Sequence, residues 1–129
     1  REKVIQALYQ LEFHPQDHLL PPDWLEGLDE QDRKFYQELI SGVTSSRERL
    51  DAQIKPRLRG WTLDRLPVLD RVVLRLGVYE LMFRDDIPPE VPLNEAVELA
   101  KRFSTEQSAR YINGVLSQIR RHYDKEDRS

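Results

Sequence analysis

The chain has 129 residues, 39% hydrophobic and 33% charged, a balance that fits one folded domain and excludes a disordered chain. It contains no cysteine, which excludes a disulfide framework or a thiolate metal site. The formal net charge of −3 does not advertise nucleic-acid binding, yet residues 17–54 hold nine acids and four bases while residues 101–129 hold seven bases and four acids.

The helical period recurs along almost the whole chain. Val4, Ile5, Leu8 and Leu11 form a first stripe at helical spacing, and Pro15 ends that helix. A loop from His14 to Pro22 follows, and Asp23 with Glu26 has the spacing of a capping box for a short helix. Asp29 and Asp32 suit the positive end of a helix dipole. Phe35, Leu39, Val43, Leu50 and Ile54 continue one stripe, which predicts a single long helix ending near Pro56. Gly60 breaks the chain, and Thr62 is placed to cap a short turn over Leu63–Leu66.

Pro67 stands where a helix can start. Val68 to Phe83 is the most apolar stretch, with Leu69, Val72, Val73, Leu76, Val78, Tyr79, Leu81 and Met82 covering nearly every face. A helix apolar all round belongs at the centre of a core. Pro88, Pro89 and Pro92 predict a loop, followed by a helix from Leu93 to Phe103. Ser104 with Gln107 predicts the next start, and Ala109, Ile112, Leu116, Ile119 and Tyr123 form its stripe. Gly114 falls inside that pattern and is read as a close helix–helix contact; the charged tail beyond Tyr123 is expected to fray. The reading is an all-α fold of about seven helices, with residues 1–129 as one domain. No run of about 18 apolar residues predicts a membrane span. No secretory signal is visible, so a cytoplasmic protein is expected.

Enzyme readings find little to stand on. The five glycines are scattered, so no phosphate-cradling loop is present. His14, Asp17 and His18 could meet a metal only on a regular helix, which Pro15 prevents. No metal or cofactor is expected. Asp85-Asp86 reads as a solvated turn rather than an acid–base pair. Asp70, Arg71, Arg75 and Glu80 interrupt the apolar central helix, either as an internal ion-pair network or as a strip awaiting a partner. Tyr9 lies at the edge of the first stripe. Tyr111 lies beside Arg110 and one turn after Gln107, a group that can stack and hydrogen-bond an unpaired base or simply border the core.

Three blocks in order resemble the NusB family. They are Arg1-Glu with Gln6-Ala-Leu-Tyr9, then Trp61-Thr-Leu-Asp-Arg-Leu66 with Asp70-Arg-Val-Val-Leu-Arg75 and Tyr79-Glu-Leu81, and last Leu93 to Ser104 with Tyr111-Ile-Asn-Gly-Val-Leu116. The resemblance covers roughly Arg1 to Ile119 and implies two packed helical subdomains. It implies transcription antitermination: binding of boxA RNA in ribosomal RNA leader transcripts, as a heterodimer with NusE, within the RNA polymerase elongation complex. The family's NusE contacts map onto Tyr9 and Asp70. Its RNA contacts map onto Arg1 and onto Lys101, Arg102, Gln107, Arg110 and Tyr111. The family's arginine-rich run before the first helix is not in this sequence, so a native N-terminal basic segment is expected to be missing. Self-association through the NusE surface is a further expectation. The alternative reading is a helical adaptor, or an RNA-binding module related to the N-terminal domain of ribosomal RNA methyltransferases.

Overall fold

The computed structural model describes residues 2–13 and 27–128, the last six by backbone alone. Six α-helices follow in order: α1 (Glu2–Phe13), α2 (Glu30–Ser45), α3 (Arg47–Ile54), α4 (Val68–Phe83), α5 (Glu90–Phe103) and α6 (Glu106–Arg128). Short 3-10 turns lie at Lys55–Arg57 and Leu63–Arg65, and no strand occurs among the described residues. The expected short helix near Asp23, the His14–Asp17–His18 group and Arg1 lie outside the described residues.

The central helix is where its sequence places it. Val72, Val73, Leu74, Leu76 and Val78 are buried, and α4 packs against each of the other five helices. α5 and α6 pack on each other and on α4, while α1, α2 and α3 also gather on α4. The two groups of helices therefore share one core element. The α6 stripe of Ala109, Ile112, Val115, Leu116 and Ile119 is buried at helical spacing.

Five details of the element boundaries differ from the sequence expectation. The long helix predicted from Asp29 to Pro56 is two helices, parted at Ser46. Thr44 Oγ1 donates to the Ile40 carbonyl and Ser45 Oγ to the Ser41 carbonyl, both at 2.8 Å, and such back-bonding bends helices. Pro92 belongs to the first turn of α5 rather than to the preceding loop, since an N–H there has no intrahelical acceptor to lose. Thr105, not Ser104, caps α6: its Oγ1 accepts the Ser108 N–H at 2.9 Å, while Ser104 closes α5. Thr62 precedes its 3-10 turn without a side-chain cap bond. At the other end, α6 runs on to Arg128, past the point where fraying was expected.

The close approach expected at Gly114 is found instead at Gly42, against the Tyr79 ring, and at Gly77. A Cβ on Gly114 would meet nothing within 4 Å, whereas one on Gly77 would stand 2.9 Å from a Leu116 methyl. Gly114 therefore keeps the entropic cost of a helical glycine with no packing gain. Gly114→Ala is expected to stabilise the fold by about 0.5–1 kcal/mol, read as a raised urea midpoint. A loss of stability would show that Gly114 serves a contact after all.

Candidate nucleic-acid and partner interface

The basic residues singled out near the C-terminus sit at the corner where α5 ends and α6 begins. Lys101 and Arg102 fill the last turn of α5, where cations favour the helix dipole. Gln107 and Arg110 are exposed on the first turns of α6. Arg102 pairs with Glu2, which brings the first turn of α1 to this corner and so places the chain's N-terminal end beside the basic strip. Glu98 lies 3.8 Å from Lys101, so two of the three cations have acidic neighbours. Arg110 has no ion pair among the described residues and is the freest cation of the strip.

Tyr111 differs from its neighbours. Its ring is half-buried against the core, and its hydroxyl is buried without a hydrogen-bond partner among the described residues. Burial pushes that hydroxyl's pKa up. The ring can offer an edge or part of a face to a ligand, but its polar end is turned inward.

Tyr9 lies on a separate face. It is 39% exposed and meets Phe13 edge-on, with ring centroids 5.0 Å apart. Ile5, Leu69 and Phe103 complete an apolar groove around this pair, rimmed by Gln6 and Gln10. Sequence reading found Tyr9 but missed the groove. Phe13 was legible at the i+4 position, whereas Leu69 and Phe103 arrive only through packing.

Asp70 adjoins Leu69 but lies beneath the surface, only 3% exposed. Its Oδ2 accepts from Ser108 Oγ at 2.7 Å, and Ser104 Oγ lies 3.1 Å from that same hydroxyl. Its Oδ1 is buried with no partner among the described residues. The hydroxyl chain joins the first turn of α4 to the start of α6, a link that sequence spacing could not reveal.

The other polar residues of α4 settle as an internal network. Arg75 is 5% exposed and grips Asp51 of α3 through Nε at 2.8 Å and Nη2 at 3.1 Å. Its Nη1 donates to Glu12 of α1. Arg71 also reaches Glu12 at 3.4 Å, and its Nη1 donates to the Leu63 and Asp64 carbonyls. Glu80 is buried as well. The two carboxylates Asp85 and Asp86 do not act as a pair: Arg84 holds Asp86 through two bonds at 2.9 and 3.0 Å, which lowers the Asp86 pKa. Among the described residues, no group of three or more His, Asp or Glu could hold a metal ion. No described helix is long and apolar enough to cross a membrane.

These features define an all-α binding module, with a basic corner on one face and an apolar groove on another. Residues 1–121 match the NusB family. The chain is 45% identical to the transcription antitermination protein NusB of Bacillus velezensis, over 93% of this chain and 92% of that one. It is 42% identical to the protein of the same name from Myxococcus xanthus, over 92% and 90% of the two chains. The structure of T. maritima NusB superposes with a TM-score of 0.82 at 37% identity, covering 92% of this chain and 86% of that one. A structure of the antitermination factors NusB and NusE in complex with dsRNA superposes with a TM-score of 0.80 at 26% identity, covering 94% and 92%. The chain belongs to the NusB family.

Proposed function

We propose that this protein is a transcription antitermination factor that binds boxA RNA of ribosomal RNA leader transcripts as a heterodimer with NusE. In that role it joins the RNA polymerase elongation complex in the cytoplasm and suppresses premature termination by binding alone, without catalysis. The observation that carries the reading is the corner itself. Lys101, Arg102, Gln107, Arg110 and Tyr111 come from two helices, and the Glu2–Arg102 pair brings the first turn of α1 to the same place. The solved relative that holds NusE and RNA together supports the same reading. Tyr9 and its groove form the NusE face, and Asp70 shapes that face from below through Leu69 and Ser108.

The two kinds of RNA contact are expected to fail differently. Arg110→Ala removes a phosphate contact, so all RNAs bind more weakly and the slope of log affinity against log salt flattens by about 0.7 for a single strand. Tyr111→Ala removes a stacking surface, costs about 1–3 kcal/mol on boxA and leaves the salt slope unchanged. Titration of both variants with boxA and a scrambled RNA, with and without NusE, reads the difference. Parent-like boxA binding by Tyr111→Ala means that the ring only borders the core. Parent-like binding by both variants overturns the assignment of this corner.

A further inference from the structure

The connector between α3 and α4 carries a second concentration of positive charge. Residues 55–65 hold four bases, Lys55, Arg57, Arg59 and Arg65, against the single acid Asp64, in a chain whose net charge is −3. Lys55, Arg59 and Arg65 are exposed and have no ion pair among the described residues. Arg57 is held down, its Nη1 donating to the Gln53 carbonyl at 2.7 Å. Between the bases stands Trp61, 54% exposed, with no aromatic or cation–π contact among the described residues.

The segment is not a loose loop. Leu58, Leu63 and Leu66 are buried and anchor it to the core. Gly60 turns the chain at φ +77°, a conformation that favours glycine, and Arg71 of α4 holds the Leu63 and Asp64 carbonyls. A fixed backbone therefore presents Arg59, Trp61 and Thr62 outward between two buried leucines. Trp61 exposes a large apolar ring that the fold does not use. A lone exposed aromatic is ordinary; one set among unneutralised cations on an anchored turn has the make-up of a single-strand platform. Guanidinium and ammonium groups hold phosphates, and an indole face takes any base by stacking.

We infer that Lys55, Arg59, Trp61 and Arg65 form a second contact for single-stranded RNA, distinct from the α5–α6 corner. The inference deepens the RNA-binding reading above and rests on it. The same connector adjoins the first turns of α4 through Arg71, and the start of α6 adjoins them through Asp70 and Ser108. Both basic surfaces thus meet one end of the central helix, so an unpaired strand leaving the corner has a second surface to follow. An acidic protein segment would satisfy the charges, but it gains nothing particular from a solitary indole face.

The test uses the whole chain and a short fluorescent oligouridylate, followed by anisotropy at several salt concentrations. Trp61→Ala is expected to weaken binding by about 5- to 150-fold, the loss of one base stack, and Trp61→Phe to recover most of it. Lys55→Ala with Arg59→Ala is expected to flatten the salt slope by about 1.4. Since the chain has two tryptophans, Trp24→Phe leaves Trp61 as the sole indole, and its emission is expected to fall on RNA addition and not on addition of polyglutamate. Parent-like binding by Trp61→Ala, alongside weak binding by Tyr111→Ala, overturns this inference and leaves the corner standing. Equal quenching by polyglutamate overturns it in favour of an acidic protein. Failure of the parent to bind any RNA overturns both readings.

Discussion

Replacing Arg75 with alanine is expected to destabilise the fold by about 3–5 kcal/mol, the range for removing one member of a buried ion pair. Arg75 is the only cation that touches both Glu12 and Asp51 among the described contacts. Those carboxylates keep only 12% and 15% of their side-chain surface exposed, so water replaces the lost guanidinium poorly. The three residues come from α1, α3 and α4, so the loss loosens a junction of three helices rather than one contact. Arg71→Ala should cost less, because the rest of that residue's bonds go to the Leu63 and Asp64 carbonyls. Urea denaturation followed by circular dichroism measures both, read as a shifted midpoint at constant slope. A second comparison separates charge from packing. The triple variant Glu12→Gln, Asp51→Asn, Arg75→Met removes all three charges at similar volume and should recover much of the lost stability. A loss below about 1 kcal/mol for Arg75→Ala, the value of an exposed pair, would show that solvent screens the site.

This network marks the limit of what the sequence could tell. That Arg71 and Arg75 share a face of α4 follows from their i,i+4 spacing. That the compensating acids are Glu12 and Asp51 does not, because those lie on helices far along the chain. Similarly, the apolar period of Val68–Phe83 was sufficient to locate the central helix, since no polar face competes there. The break at Ser46 was hidden because the stripe of Leu39, Val43, Leu50 and Ile54 passes through it in phase. Only the hydroxyls of Thr44 and Ser45, as competitors for backbone carbonyls, signalled it. Gly114 misled because an Asn-Gly in a strong helical pattern invites a packing explanation, while the crowded glycines were Gly42, against Tyr79, and Gly77, against Leu116.

The candidate site divides along the same line. Lys101, Arg102, Gln107 and Arg110 were legible as surface polar residues, and the structure gathers them at one corner. The resemblance to the family named Tyr9 and Asp70 together, yet their surroundings differ: Tyr9 is exposed within an apolar groove and Asp70 is buried on a serine. Nothing in local spacing separates two such residues, because the cover over Asp70 comes from Ser108 in the last helix.

That difference makes Tyr9 the sharper test of the partner face. Tyr9→Ala is expected to weaken NusE binding by at least about 30-fold, the 2 kcal/mol that marks an interface hot spot. Tyrosine is a residue type enriched at such positions, and this one stands with Phe13 over Ile5, Leu69 and Phe103, where a partner side chain can exclude water. The fold should tolerate the change, because Tyr9 is 39% exposed and its neighbours Ile5 and Leu8 hold α1 to the core. Asp70→Asn serves as the contrast. The amide keeps an oxygen to accept from Ser108 Oγ while removing the charge, so a role in positioning predicts a smaller loss than at Tyr9. Isothermal titration with purified NusE measures both, and sedimentation velocity of the chain alone shows whether Tyr9→Ala also disperses any self-association through the same groove. Parent-like NusE binding by Tyr9→Ala would remove this groove from the interface. A larger loss for Asp70→Asn, with Tyr9→Ala little changed, would move the contact to the charged end of α4, where Oδ1 has no donor among the described residues.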